Sequence, residues 1–275
     1  MSLDANLPVV ELVLLLLTIG AAGGFLSGLL GVGGGILFVP ALFFAMSAVG
    51  LELEHAMHIS IATSLLIVLA TGATSAIAHY HRGSVEPALL RDWGPFILLG
   101  VVVGSFFASY VEGEVLKKFF AGMTLAISLY MAFGKEKKAE TRARFLTLNV
   151  QRGICTAIGI ASAMLGIGGA IMTVPLMSYS GLAIQRAVGT GAALGTIISL
   201  PATLGFMAGG ILHQIDGLPP GSVGYVNFIA AAAIIPTSML LAPVGVRISH
   251  AMPRVMLRRV FAFVLLVVSI RMFTG

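Results

Sequence analysis

Long stretches of this chain consist almost entirely of apolar residues, and short polar segments separate them. Nearly charge-free runs cover residues 9–32, 59–80, 93–111, 119–134, 187–212, 222–246 and 260–274. A helix needs about 20 apolar residues to cross the hydrocarbon core of a bilayer. Several of these runs reach or exceed that length. The pattern therefore predicts an all-α integral membrane protein that crosses the bilayer many times.

A glycine-rich sequence occurs once in each half of the chain. "GFLSGLLGVGGGILFVP" fills residues 24–40 and "GIASAMLGIGGAIMTVP" fills residues 159–175, with nine identities in 17 positions at a shift of 135. Further along, a shift of 127 aligns Thr63 with Thr190. Matches that keep the same order in both halves predict an internal duplication.

The duplication divides the chain into a first transmembrane repeat over 1–134, a polar linker over 135–152 and a second repeat over 153–275. If each glycine-rich stretch turns back as a hairpin before three membrane-spanning helices, 13 of the 16 Lys and Arg residues face one side. Single kinked crossings would divide them 9 to 7. The positive-inside rule favours the hairpins, which predicts inverted repeats, a cytoplasmic linker and both termini outside. Whether the first hairpin re-enters or spans fully stays open.

The glycine-rich breaks are the candidate substrate site. Non-helical backbone inside a membrane must be satisfied by protein, water or a ligand. The helices that begin after the breaks expose unpaired amides, and two such N-termini near the midplane attract an anion. Pro40 and Pro175 fall in the second turns of these helices, where proline bends the axis, and they are candidate gate residues. The candidate substrate-binding residues at the breaks are Ser27, Gly31, Gly33, Gly34, Gly35, Ser162, Gly166, Gly168, Gly169 and Ala170.

Other glycines recur at four-residue spacing. Gly20, Gly24 and Gly28 form one such series, and Gly100 and Gly104 form another. Small residues at this spacing let membrane helices pack closely, and we expect that role here. Close packing is also the alternative explanation of the two breaks.

Polar side chains near the breaks are further candidates. The hydroxyl groups of Thr63, Ser64 and Thr190 can donate hydrogen bonds to an anion, or they can bond to the backbone of their own helices. His79 and Arg82 lie near the predicted cytoplasmic end of a span and are candidate gate residues. The alternative for His79 is an ordinary interfacial histidine.

The remaining polar residues limit the chemistry. Cys155 is the only cysteine, which excludes an intrachain disulfide. His55 and His58 lie beside Glu52 and Glu54, but a solvated outer loop is the preferred interpretation over a metal site. All 11 carboxylates fall near predicted helix ends or in loops, so the coupling ion, a proton or sodium, stays open.

Charge and motif content argue against other classes. The net charge of +5 comes from basic residues in loops, and the chain has no basic domain for nucleic acid. Gly31 and Gly33 are not followed by the third glycine of a dinucleotide-binding motif, and no metal or catalytic motif occurs. The sequence therefore predicts a transporter without a cofactor. An anion channel is the alternative, and an intramembrane enzyme is the remoter one.

Several motifs together resemble the sulfite exporter TauE/SafE family. They are the two glycine-rich stretches, "ATSL" at 62–65, "HYHRG" at 79–83 and "AVGT" at 187–190. The resemblance covers essentially the whole chain. It implies a secondary transporter in the cytoplasmic membrane for a small sulfur-containing anion such as sulfite, thiosulfate or sulfoacetate. One departure is "GTG" at 189–191, where the family often has Gly-Thr-Ser, so one expected hydroxyl is missing from the second half.

Overall fold

The structure, a computed structural model, describes residues 9–31, 33–48, 51–133, 148–215 and 217–274, so most of the linker lies outside the described ranges. These ranges contain ten α-helices and one two-stranded hairpin. The helices are α1 (Val9–Leu30), α2 (Gly35–Ala48), α3 (Leu53–Tyr80), α4 (Pro87–Ala108), α5 (Gly113–Phe133), α6 (Leu148–Leu165), α7 (Ala170–Tyr179), α8 (Ile184–Leu212), α9 (Phe228–Ala251) and α10 (Arg254–Thr274). The hairpin pairs β1 (Ser222–Val223) with β2 (Val226–Asn227) in antiparallel register. The all-α class is confirmed, and the short hairpin is an addition that hydropathy did not predict.

Five of the described helices are long and apolar enough to span a bilayer, namely α3, α4, α5, α8 and α9. The apolar stretch Leu14–Leu30 of α1 and the whole of α2 are apolar but shorter. Large hydrophobic side chains also lie exposed on outer helix faces, among them Phe106, Leu240 and Phe263. Lipid rather than water suits such surfaces, so the chain is a multi-pass membrane protein.

Both glycine-rich stretches interrupt the helices at the predicted positions. The first break separates α1 from α2, and the second separates α6 from α7. Each break contains three glycines with positive φ, at matching positions under the shift of 135: Gly31 (67°), Gly33 (72°) and Gly34 (82°) in the first, and Gly166 (69°), Gly168 (69°) and Gly169 (75°) in the second. Residues with a Cβ adopt this left-handed conformation at a cost of roughly 1–2 kcal/mol, which explains the glycines.

The two prolines lie where the sequence places them. Pro40 is inside α2 and Pro175 is inside α7, at equivalent positions of the two short helices. Each short helix continues through its proline, which removes one backbone donor. Their role as gate residues stays a prediction.

Glycines at four-residue spacing pack helices from different halves against each other. Gly20, Gly24 and Gly28 of α1 lie on the backbone of α9, successively nearer its C-terminus, so the two helices run parallel. Gly100 and Gly104 of α4 lie in the same way on α6. A methyl group at these positions would overlap partner backbone atoms, and the predicted packing role is confirmed.

Two helices of the first half pair with their sequence equivalents in the second half. Along α3 and α8, Gly72 approaches Thr196 whereas His79 approaches Gly189, so these helices are antiparallel. The helices α5 and α10 are antiparallel as well, and reciprocal hydrogen bonds join them. Ser128 Oγ donates to the Ala262 carbonyl (2.7 Å), and Ser269 Oγ donates to the Ala121 carbonyl (2.8 Å).

These reciprocal bonds reveal a third alignment, a shift of 141 over α4–α5 and α9–α10, that the sequence analysis missed. It matches Pro95 with Pro236 and Phe120 with Phe261, besides the two serines. Both phenylalanines are fully buried. The signal was present in the sequence, but scattered apolar identities between membrane helices are hard to separate from chance.

Candidate functional site

The two glycine breaks meet in the interior of the protein. The Ser64 hydroxyl donates to the Gly166 carbonyl (2.9 Å), so α3 of the first half holds the break of the second. A Cβ on Gly35 would lie 2.7 Å from the same carbonyl oxygen, which places the start of α2 against the end of α6. The absence of a side chain at Gly35 is therefore a requirement of this contact.

Equivalent contacts surround the two breaks. Gly31 lies on the Val188 carbonyl of α8, and its equivalent Gly166 lies on Ile61 of α3, which is the equivalent of Val188 at the shift of 127. Val68 lies between the breaks, because its side chain is the nearest neighbour of both Gly33 and Gly168. Gly31 and Gly166 thus occupy equivalent environments, whereas Val68 contacts both breaks and has Gly195 as its equivalent.

Two equivalent serines at the breaks have buried hydroxyl groups without a partner. Ser27 and Ser162 are both fully buried, and neither Oγ atom has a hydrogen-bond partner within the described structure. Ser162 Oγ faces the second break, 3.0 Å from where a Cβ on Gly169 would lie. Buried hydroxyls normally find a partner, so each of these calls for an explanation.

The start of α7 lies beside Ser162. Gly169 is the N-cap residue of α7 with left-handed backbone, and no side chain caps this helix. The Ala170 amide bonds to the Gly168 carbonyl (3.0 Å). The N-terminus of a helix carries a partial positive charge and attracts anions.

A stripe of buried residues on α3 runs away from the breaks. Its members are Ser64, Val68, Thr71, Ser75 and His79, all fully buried and spaced as one helix face. Thr71 Oγ1 and Ser238 Oγ of α9 share a hydrogen bond (2.7 Å). Ser75 Oγ donates to the Ser27 carbonyl (3.3 Å). Polar contacts along this stripe, which we call the α3 stripe, connect the breaks with His79.

His79 closes the α3 stripe among residues from three helices. Its Nε2 bonds to the Gly28 carbonyl of α1 (3.1 Å), and its Nδ1 lies 3.3 Å from Nε2 of His250 on α9. Ser84 Oγ lies 3.4 Å from the same His250 nitrogen. Arg82 Nη1 donates to the Val246 carbonyl (3.3 Å). His79 is therefore buried and hydrogen-bonded within the protein.

Thr63 and Thr190 occupy equivalent structural positions. The Thr63 hydroxyl accepts a hydrogen bond from the Asn227 amide, and the Thr190 hydroxyl accepts one from the Glu86 amide, both at 2.9 Å. Thr190 also donates to the Arg186 carbonyl (2.7 Å). These threonines fasten the starts of α9 and α4 in this conformation, and their role as anion ligands stays a prediction.

The expected solvated loop around His55 and His58 is wrong. Both residues belong to α3, and His58 is buried, with Nε2 bonded to the Ala108 carbonyl (3.2 Å) and its ring stacked on Tyr225 (4.7 Å). An apolar segment that continues the α3 helix explains the difference. Among the residues that the structure describes, no three His, Cys, Asp or Glu side chains converge as metal ligands.

Sequence reasoning missed four polar members of this region, namely Thr71, Ser75, Ser238 and His250. The first two carried a signal, since their spacing from Ser64 and His79 places all four on one face of a helix. Ser238 and His250 carried none, because only tertiary packing brings α9 against α3.

Comparisons with known proteins agree with the resemblance. Residues 16–272 match the family model described as Sulfite exporter TauE/SafE. A probable membrane transporter protein of Haemophilus influenzae is 31% identical over 262 residues, covering 95% of this chain and 98% of its own. Another, of Methanocaldococcus jannaschii, is 27% identical over 258 residues, covering 88% and 90%. No solved structure matches the chain.

Proposed function

The chain belongs to the sulfite exporter TauE/SafE family of membrane transporters, and we propose that it is a secondary transporter for a small sulfur-containing anion. The substrate class is sulfite, thiosulfate or an organosulfonate such as sulfoacetate, carried across the cytoplasmic membrane. All of these anions present several oxygen atoms that accept hydrogen bonds. The site must therefore supply donors in the membrane interior.

The pair of unpartnered serines carries this proposal. Ser27 and Ser162 are equivalent, fully buried and without a partner in the described structure, and each precedes a glycine break by four residues. A buried hydroxyl without a hydrogen bond costs about 1–3 kcal/mol. A bound anion would accept hydrogen bonds from both hydroxyls and recover this cost.

The helix starts supply the remaining donors. The amides at the beginning of α2 and α7 carry the partial positive charge of a helix N-terminus. This charge attracts an anion without a charged side chain. Gly34 and Gly169, which directly precede these starts, have left-handed backbone, and the Phe38 and Ile198 side chains pack closely where a Cβ on each would lie.

Inverted repeats give this site access to both sides in turn. The helix pairs α3–α8 and α5–α10 each consist of sequence equivalents that run antiparallel. A two-fold axis that relates antiparallel membrane helices lies in the membrane plane, which is the arrangement of inverted-repeat transporters. Alternating access then follows from rocking of the halves, with the cytoplasmic side carrying most of the positive charge.

Ligand binding by serine variants tests the site. Purified protein is screened by thermal shift against sulfite, thiosulfate, sulfoacetate, taurine, sulfate and phosphate, because a ligand of the folded state stabilises it by mass action. We expect a sulfur-containing anion to stabilise the protein most. Ser27→Ala and Ser162→Ala should each weaken its affinity by about 1.5–3 kcal/mol, the value of a hydrogen bond to a charged group.

The matched control is Ser128→Ala, which removes a buried serine that bonds the Ala262 carbonyl away from the breaks. It should lower stability without changing affinity. Wild-type affinity in both break variants, or no stabilisation by any anion, would contradict the proposal.

Cysteine labelling tests the inverted topology. Cys155 is first replaced by Ser, and a single cysteine is then introduced at His81 or His213, both of which are exposed. In intact cells an impermeant maleimide should modify the His213→Cys variant and spare the His81→Cys variant. Modification of both from outside would exclude the proposed orientation.

A further inference from the structure

Two histidines that the proposed anion site does not use lie at the His79 end of the α3 stripe. His79 comes from the first half and His250 from the second, with Nδ1 and Nε2 facing each other at 3.3 Å. His79 is fully buried, whereas His250 is part-buried. A pair of facing imidazole rings is a place where a proton can bind and move.

Hydrogen-bond chemistry fixes the protons of this pair. A carbonyl oxygen only accepts, so His79 Nε2 must donate to Gly28. In the neutral pair, His79 Nδ1 therefore accepts and His250 Nε2 donates. One additional proton can enter at Nδ1 of His250, and the proton between the rings can then shift to His79. The pair thus has room for one added proton and moves its charge from the part-buried ring to the buried one.

The surroundings do not neutralise that charge. Around the pair lie the Arg82 guanidinium and Ser84 hydroxyl, the Gly28 carbonyl of α1, and Gly189 of α8, which packs on His79. The nearby carboxylate of Glu86 is engaged by Arg186. No described carboxylate contacts either ring. A buried charge without a counter-charge is costly, so an anion in the interior favours the protonated pair.

A direct connection links the histidines to the anion site. His79 bonds to the carbonyl of Gly28, and Ser75 of the same helix face bonds to the carbonyl of Ser27. The Gly31 amide at the first break also bonds to the Ser27 carbonyl (2.8 Å). Protonation at His79 therefore acts on the same turn of α1 that carries the unpartnered serine.

We propose that His79 and His250 form the binding site of a coupling proton that crosses the membrane together with the anion. The inference rests on the proposed transport function. The site exists once in the protein, because the equivalents of His79 and His250 are Phe206 and Ser109. One proton site therefore serves one anion site. The histidine pair lies on one side of the anion site only.

Transport in proteoliposomes tests this assignment. Uptake of [35S]sulfite, [35S]thiosulfate and [14C]sulfoacetate is measured by counterflow and, separately, under an acid-outside pH gradient with the membrane potential clamped. For the wild type we expect gradient-driven accumulation of the transported probe, up to about tenfold for each pH unit when one proton is coupled. His79→Gln and His250→Gln should lose this accumulation while counterflow continues.

The matched control is His81→Gln, an exposed histidine at the same end of α3, which should respond to the gradient as the wild type does. Monodisperse elution shows that each variant is folded, and glutamine retains an N–H donor for the Gly28 carbonyl. Either of two results would overturn the proton site alone. One is full pH-driven accumulation in both His79→Gln and His250→Gln. The other is a wild type that shows counterflow but no accumulation under the pH gradient. Absence of counterflow for all three probes would overturn the transport function and this inference with it.

Discussion

The two halves of the protein are nearly identical at the glycine breaks and different along the central helices that leave them. Each break has three glycines of positive φ and one unpartnered serine at matching positions. The α3 stripe continues from there with polar residues to His79, whereas the equivalent positions of α8 are Gly191, Gly195, Ile198, Ala202 and Phe206. The two halves thus agree at the proposed anion site and differ along the helices that lead away from it.

This difference has a physical consequence for transport. A buried polar stripe lowers the cost of moving a charge towards one end, and an apolar stripe that ends on a buried phenylalanine raises it at the other. In the proposed mechanism, the α3 end responds to protons while the α8 end closes by packing.

The largest effect should come from the breaks themselves. Gly33→Ala and Gly168→Ala each force a Cβ into left-handed backbone, which alone costs roughly 1–2 kcal/mol, and each Cβ would also collide with the Val68 side chain. Both variants should lower the melting temperature of the purified protein strongly and by similar amounts. Gly83→Ala is the control, because its φ is also positive but its Cβ meets open space. A small decrease in melting temperature at one break and a large decrease at the other would show that the breaks are not equivalent.

A matched pair of substitutions tests the stripes. Thr71→Val removes the hydrogen bond to Ser238, and Ile198→Val, at the equivalent position of α8, removes one methylene group. Each should cost about 0.5–1.5 kcal/mol of stability. Only Thr71→Val should reduce the rate of thiosulfate or sulfoacetate counterflow, because only this variant removes a hydroxyl group from the α3 stripe. Equal counterflow rates in the two variants would show that the difference in polarity between α3 and α8 does not affect transport.

The smallest expected effect lies at the reciprocal bonds between α5 and α10, where we expect a change in stability alone. Ser128→Ala and Ser269→Ala each delete one of the two reciprocal bonds between α5 and α10. Each should lower the free energy of unfolding by about 0.5–1.5 kcal/mol, and the two losses should be similar. Chemical denaturation in detergent measures this. A large loss from one variant and none from the other would mean that the two bonds are not equivalent.

Local chemistry made much of the architecture predictable. Positive φ favours glycine, so the breaks at Gly31–Gly34 and Gly166–Gly169 could be located from the sequence, and so could Pro40 and Pro175 in the helices that follow. The candidate serines were also predictable, because the duplicated motif contains them. In contrast, the sequence suggested Thr63 and Thr190 as anion ligands and gave no sign of their contacts. Their hydroxyl groups accept hydrogen bonds from backbone amides of segments more than 100 residues away in the chain.

The membrane class, the helix breaks and the duplicated motif could be predicted from the sequence, because hydropathy, backbone conformation and repeated motifs are properties of neighbouring residues. Only the tertiary structure decided that the breaks meet at Val68, that Ser27 and Ser162 stay unpartnered, and that His79 finds His250 across 171 positions of sequence. Those contacts depend on the close approach of helices and breaks from both halves. That approach follows from the packing of whole helices, which no local pattern specifies.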